Sequence, residues 1–142
     1  MTFEKSCGAV VFRDAQKEDG GIQRYVLMIK HSQSSHHSFP KGHMEKGENE
    51  HQTAVREVFE ETAVRIEIKS SFRHPVYYRP RPGVKKEVVY FLAHTEQIET
   101  SPAEGEVVLV EWVPIEKASG LLAHENDRRV LSHAVAFSKG KR

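Results

Sequence analysis

Side chains able to do chemistry are most concentrated between Phe39 and Val64, where the chain reads FPKGHMEKGENEHQTAVREVFEETAV. At about 100° per residue on a helix, Glu57, Glu60 and Glu61 stand at i, i+3 and i+4 and share one face. Like charges at that spacing repel, which costs a few tenths of a kcal/mol per pair. Two arrangements offset the repulsion. One is a solvated face with Arg56–Glu60 and Glu61–Arg65 ion pairs. The other is a hard divalent cation such as Mg²⁺, which takes oxygen ligands and bridges carboxylates to phosphates.

The elements that must hold these acids are a loop and the helix it enters. Pro40, Gly42 and Gly47 mark the loop. Asn49 can cap the helix with Gln52 at the capping-box position, and Glu50 adds favourable charge in the first turn. Val55, Val58, Phe59 and Thr62 recur at i, i+3, i+4 and i+7, which predicts the face turned to the core.

The spacing is Gly42, five residues, Glu48, seven residues, then Arg56-Glu57-Val58-x-Glu60-Glu61, with Val64 closing the run. It resembles the Nudix box, Gly-x5-Glu-x7-Arg-Glu-U-x-Glu-Glu-x-Gly-U with U aliphatic, at eight of nine defined positions. The departure is Ala63, where the family has the glycine that ends the helix, and a Cβ there predicts a different C-terminal cap. The resemblance implies a metal-dependent phosphoanhydride hydrolase in which Glu57, Glu60 and Glu61 bind Mg²⁺ or Mn²⁺, with the Lys41 carbonyl as a further ligand. It implies Glu57 as first choice for accepting the water's proton, Arg56 as orienting the carboxylates, and Glu48 as a structural partner of loop and helix. A further metal carboxylate is expected just before the last sheet strand, at Glu106, with Glu104 as fallback.

Outside the box, HHSFPKGHMEKGE and KKEVVYFLAH resemble the asymmetric diadenosine tetraphosphate hydrolases. That likeness implies phosphate contacts from Lys41, His43 and Lys85 or Lys86, and stacking of adenine on Tyr90 or Tyr78. The bland alternatives are a core tyrosine at Tyr90 and hairpin charges at the two lysines. His36 and His37 lie in a Ser-rich loop and read as solvated or substrate-facing rather than as a zinc site. His51, His74 and His133 show no useful spacing. YYRPRPGVKK mixes aromatic and basic residues as single-strand binders do, but a hairpin tip accounts for it equally well.

With 142 residues the chain fits one Nudix domain, 1–142. Its formal charge of +1 argues against a broad nucleic-acid surface, leaving an RNA 5′ end as the one nucleic-acid partner considered. A small nucleotide is the expected partner, and monomer and homodimer both stay open. The opening MTFEKSCGAVVF reads as neither signal peptide nor membrane span, so a cytoplasmic location without membrane contact is expected. The single cysteine, Cys7, reads as a small buried side chain in a strand.

In chain order, strands are predicted at Ser6–Phe12 and Arg24–Lys30, and His31–Ser38 is too polar for regular structure. Beyond the helix, Val64–Ile68 alternates as a strand running on toward Tyr78. Pro82-Gly83 predicts a type II turn before the strand Glu87–His94. A strand at Val107–Val113, a short helix from Pro114 through Leu122, a final amphipathic helix from Asn126 and a frayed SKGKR tail complete the pattern. The pattern alone gives an α/β layered domain with a mixed sheet. The resemblance implies a Nudix-type α/β/α sandwich. Rival activities are a mutator-type nucleoside triphosphatase, an RNA 5′-end pyrophosphohydrolase, a diphosphoinositol polyphosphate phosphatase, for which His43 replaces the usual glycine, and a non-catalytic nucleotide sensor.

Overall fold

The structure is a computed structural model that describes residues 1–140. Its elements are β1 (Thr2–Gln16), β2 (Ile22–His31), β3 (His37–Ser38), β4 (Lys41–His43), α1 (Glu50–Thr62), β5 (Arg73–Arg81), β6 (Val84–His94), β7 (Val107–Pro114), α2 (Ile115–Leu121) and α3 (Glu125–Ser138). The sheet is mixed. β1 runs parallel to β6 from Thr2↔Val84 to Phe12↔His94, while β5 and β6 form an antiparallel hairpin. Gly83, at φ 79°, takes the positive-φ position that a type II turn requires.

The other edge of β1 is shared. Its C-terminal half pairs with β2, from Phe12↔Val26 to Gln16↔Ile22, and Ser6 to Gly8 pair with β4. β2 pairs along its other edge with β7, and past Val26 the edge that leaves β1 pairs with the two residues of β3. The glycine loop is thus stitched into the sheet where β1 and β2 part, which satisfies its backbone while holding it at the sheet's opening.

Both faces of β1 are buried, the mark of a central strand. Ala9 and Val11 pack with Leu27, Val58 and Val64 beneath α1. Val10 and Phe12 pack on the opposite face with Met28, Phe39, Tyr90, Val130 and Leu131 beneath α2 and α3. The result is the expected α/β/α sandwich. Among the described residues no helix is long and apolar enough to cross a membrane.

Several local expectations are corrected. Val64–Ile68 is extended but unpaired: the amides of Val64 and Arg65 bond to Thr62 Oγ1 and Gln97 Oε1 rather than to a strand. Its alternation is real, since Val64 and Ile66 are buried and Arg65 and Glu67 exposed, but β5 begins only at Arg73. The buried stripe of α1 is Ala54, Val58 and Thr62, with Thr53 beside it. Phe59 stays 38% exposed with the Arg65 guanidinium 4.3 Å over its ring. The polar stretch before the box contributes β3, whose two residues pair with Ile29 and Lys30. Within the SKGKR tail, Ser138 belongs to α3, the Lys139 and Gly140 amides bond back to helix carbonyls, and Lys141 and Arg142 lie outside the described residues.

Ala63 adopts the left-handed conformation anyway, at φ 64° and ψ 15°, and its amide bonds to the Phe59 carbonyl. The departure from the box therefore changes the cost of the cap and not its shape, because a Cβ is disfavoured there. Ala63→Gly should raise stability by about 0.5–1 kcal/mol, the left-handed strain relieved less the extra flexibility of an unfolded glycine. Denaturant melts of the two proteins check this, and an unchanged or lowered midpoint contradicts it.

Candidate active site

The helix that carries the acids is fixed at its start by a reciprocal cap. Gln52 N donates to Asn49 Oδ1 at 2.8 Å and Asn49 N donates to Gln52 Oε1 at 2.9 Å. One turn later Arg56 ties loop to helix. Its Nε donates to Glu48 Oε2 at 2.6 Å, Nη1 to Glu57 Oε2 at 2.8 Å and Glu60 Oε1 at 3.1 Å, and Nη2 to the His43 carbonyl at 2.9 Å. Glu48 also accepts from Glu45 N and Thr53 Oγ1. The Arg56 guanidinium first, then these donors, hold the Glu48 carboxyl down at about 2. Glu57 lies against Gly42, where a Cβ would run into its carboxyl and displace it from its place beside Arg56.

A cavity of 340 Å³ opens beside this junction, lined by Glu57, Glu61, Glu106, Lys41, His43 and Lys86 among others. Glu61 Oε1 accepts the Lys41 amide at 3.0 Å. Burial pushes the Glu61 carboxyl up to about 7, that amide opposes the shift, and the charges of Glu57 and Glu106 reinforce it. Glu60 does not line the cavity: its side chain is 55% exposed and held from outside by Arg56. Glu104 is exposed and also outside it.

Among the described residues, no three acid, histidine or cysteine side chains already enclose a metal ion. The donor chemistry nevertheless fits a hard divalent cation. Four carboxylates, Glu45, Glu57, Glu61 and Glu106, line one cavity, and Glu61 is driven toward proton uptake by its burial first, with the charges of Glu57 and Glu106 adding repulsion. A cation would relieve that repulsion.

A second cavity of 640 Å³ shares His31, Lys41 and Lys86 with the first, so the two are adjacent. Tyr78, His36, His37, His124 and Asp127 also line it. The Lys86 ammonium is shifted downward by burial and by the Lys41 charge, with Glu4 opposing. His31 is likewise lowered by burial and Lys41, with Glu106 opposing.

The structure places the paired candidates differently. Lys86 lines both cavities, whereas Lys85 is exposed with its ammonium 5.8 Å over the Tyr77 ring. Tyr78 lines the larger cavity. Tyr90 is corrected: it is fully buried, edge-on to Phe39 at 5.6 Å between centroids, and no base can reach it. β6 points alternate side chains to opposite faces, and Tyr90 lands in the layer beneath α3.

Sequence reasoning missed His31, His124 and Asp127. An aspartate in the first turn of a helix reads as ordinary dipole chemistry, and only burial distinguishes this one. It also missed that His74 Nε2 and His133 Nδ1 come within 2.9 Å, because β5 and α3 meet only in the fold.

A NUDIX domain model matches residues 3–134. An 8-oxo-(d)GTP phosphatase of Mycolicibacterium smegmatis is 32% identical over 136 residues, covering 92% of this chain and 41% of that protein. The asymmetrical bis(5′-nucleosyl)-tetraphosphatase of Mus musculus is 28% identical over 139 residues, 94% of each chain. A crystal structure of a C. elegans Ap4A hydrolase binary complex superposes with a TM-score of 0.79 at 27% identity, covering 97% of this chain and 99% of that one. The chain spans about two fifths of the length of the mycobacterial relatives it matches.

The Glu61 carboxyl gives the site a pH signature. Its pKa is about 7 when folded against an ordinary 4.5, so the folded chain holds the extra proton between those values, and stability falls as pH rises through that window. Glu61→Gln removes the effect while keeping an acceptor for the Lys41 amide. In chelator-treated protein, the variant's advantage over wild type should grow by about 2–3 kcal/mol between pH 4 and pH 8. Denaturant melts at the two pH values measure it, and a pH-independent difference would show that Glu61 ionises normally.

Proposed function

The chain belongs to the Nudix hydrolase family, and on that premise we propose that it hydrolyses phosphoanhydride bonds of nucleotides with Mg²⁺ or Mn²⁺, its preferred substrate being diadenosine tetraphosphate, cleaved to ATP and AMP. In this reading the 142 residues act as one Nudix domain. The observation that carries the substrate class is that Lys41 and Lys86 each line both cavities. Two cations therefore stand between an acidic cavity suited to metal and an aromatic pocket suited to a base. A polyphosphate with a nucleoside at its end matches that order. Among the described residues neither ammonium is committed to an ion pair.

Glu57, Glu61 and Glu106, with the Lys41 carbonyl, would hold the cation, which when bound supplies charge neutralisation on the phosphate oxygens. Arg56 grips Glu57 Oε2 and so leaves Oε1 to receive a proton. Water's oxygen attacks phosphorus, its proton passes to Glu57, and the bridging P–O bond breaks with the second phosphate as leaving group. Lys41 and Lys86 bind phosphate oxygens and Tyr78 offers a ring face to the base. Glu60, outside the cavity, acts through its bond to Arg56.

The animal tetraphosphatase and the worm hydrolase match along nearly their whole length, which favours the dinucleotide. The 8-oxo-(d)GTP phosphatase keeps oxidised nucleoside triphosphates as the second reading.

Turnover of diadenosine tetraphosphate, ordinary and oxidised dNTPs, ADP-ribose and 5′-triphosphate RNA with Mg²⁺ in H₂¹⁸O tests both. The dinucleotide should give ATP and AMP with the highest kcat/KM, and Glu57→Gln should lower kcat by about 10²-fold or more. Binding without turnover in metal-loaded protein would refute hydrolysis. A preference for oxidised dNTPs would retire the dinucleotide alone.

A further inference from the structure

Asp127 is among the few polar side chains that the fold buries. It sits in the first turn of α3, 4% exposed, and lines the larger cavity. Acids are seldom buried unless paired. Among the described residues no Lys, Arg or His forms an ion pair with Asp127. The side-chain donor to its carboxylate is the Tyr78 hydroxyl, 3.0 Å from Oδ1. Burial, with the Asp127 charge second, raises the Tyr78 hydroxyl's pKa and keeps it a donor. A buried anion with one neutral partner, facing a cavity, has acceptor capacity that the protein leaves unused.

The geometry fixes what would use it. Asp127 lies off the hydroxyl end of the Tyr78 ring, so a flat group stacked on that ring brings its edge toward the carboxylate. His124, whose ring is 6.4 Å from that of Tyr78 at an interplanar angle of 67°, also lines the pocket. An ionised carboxylate accepts hydrogen bonds and donates none, so it pairs with an N–H edge and repels a carbonyl edge.

Resting on the nucleotide reading above, we propose that Asp127 is the base-selecting residue: it accepts a hydrogen bond from the 6-amino group of adenine and rejects the 6-oxo edge of hypoxanthine. Tyr78 serves twice, stacking the base and orienting the carboxylate that reads it. The discrimination lies in polar groups that are buried before the ligand arrives, where a mismatched partner is penalised most.

The test compares kcat/KM for diadenosine and diinosine tetraphosphates, and Kd for AMP and IMP under chelation, in the wild type and in Asp127→Asn. Asparagine keeps the shape and an oxygen for Tyr78 while adding an amide donor suited to a 6-oxo group. The wild type should favour the adenine compounds by about tenfold or more, and the variant should reverse or erase that preference, mainly through KM and Kd. A wild-type ratio near one overturns the proposal without recourse to the variant, so a variant that fails to fold does not protect it. An unchanged ratio in a folded variant also overturns it. If no nucleotide of either kind is bound or cleaved, the nucleotide reading itself falls and takes this inference with it, whereas equal cleavage of both leaves hydrolysis standing and removes only the role of Asp127.

Discussion

The site depends on one planar cation. Arg56 bonds to Glu48, Glu57, Glu60 and the His43 carbonyl, so a single guanidinium joins the glycine loop, the residue before the helix cap and the acidic face of the helix. Without it, acids one turn apart would repel and the loop would have no ionic link to α1. Lysine could not replace it, because the contacts diverge in the plane of a fork that an ammonium lacks. The spacing of the box follows from this geometry. Glu48 must reach Arg56 from the loop's end, Glu57 must follow it directly, and a Cβ at Gly42 would push the Glu57 carboxylate off the guanidinium.

The sheet supplies the second constraint. By pairing its two halves with different neighbours, β1 opens a gap beside β4 while leaving few backbone groups unsatisfied. Perturbed side chains gather around that opening. The Glu61 carboxyl is raised, the Lys86 ammonium and His31 are lowered, and the buried Ser6 hydroxyl has no partner. Concentration of strained polar groups in one cleft is the pattern of a site rather than of a packing defect.

Local chemistry was the most legible part of the sequence. The capping box, the turn at Gly83 and the mixed layered fold follow from short-range rules that tertiary structure did not override. Side-chain direction was less legible. Phe59 lies on the predicted core face by spacing alone, but α1 is rotated so that the small Ala54 meets the sheet and the ring stays outside under Arg65. Tyr90 and Lys86 stand four residues apart on one strand, yet Phe39 covers the first and a cavity opens over the second. Strand periodicity assigns both to the same face and cannot say which part of that face is roofed. Asp127 needed the fold itself, since only the packing of α3 against β5 brings it to Tyr78.

A formal charge of +1 conceals a sharp local division. Glu57, Glu61 and Glu106 share a cavity with Lys41 and Lys86, and close salt bridges would be the cheap way to neutralise them. The fold does not take that course: Lys41 meets Glu61 through its amide, and Lys86 keeps its lowered ammonium in the wall between the cavities. Keeping opposite charges near one another but unpaired raises the energy of the site. On the proposed reading, a cation on the carboxylates and a phosphate on the ammoniums would recover that energy and complete the electrostatics that the chain leaves open. A protein that only needed a stable helix face would have closed those pairs itself.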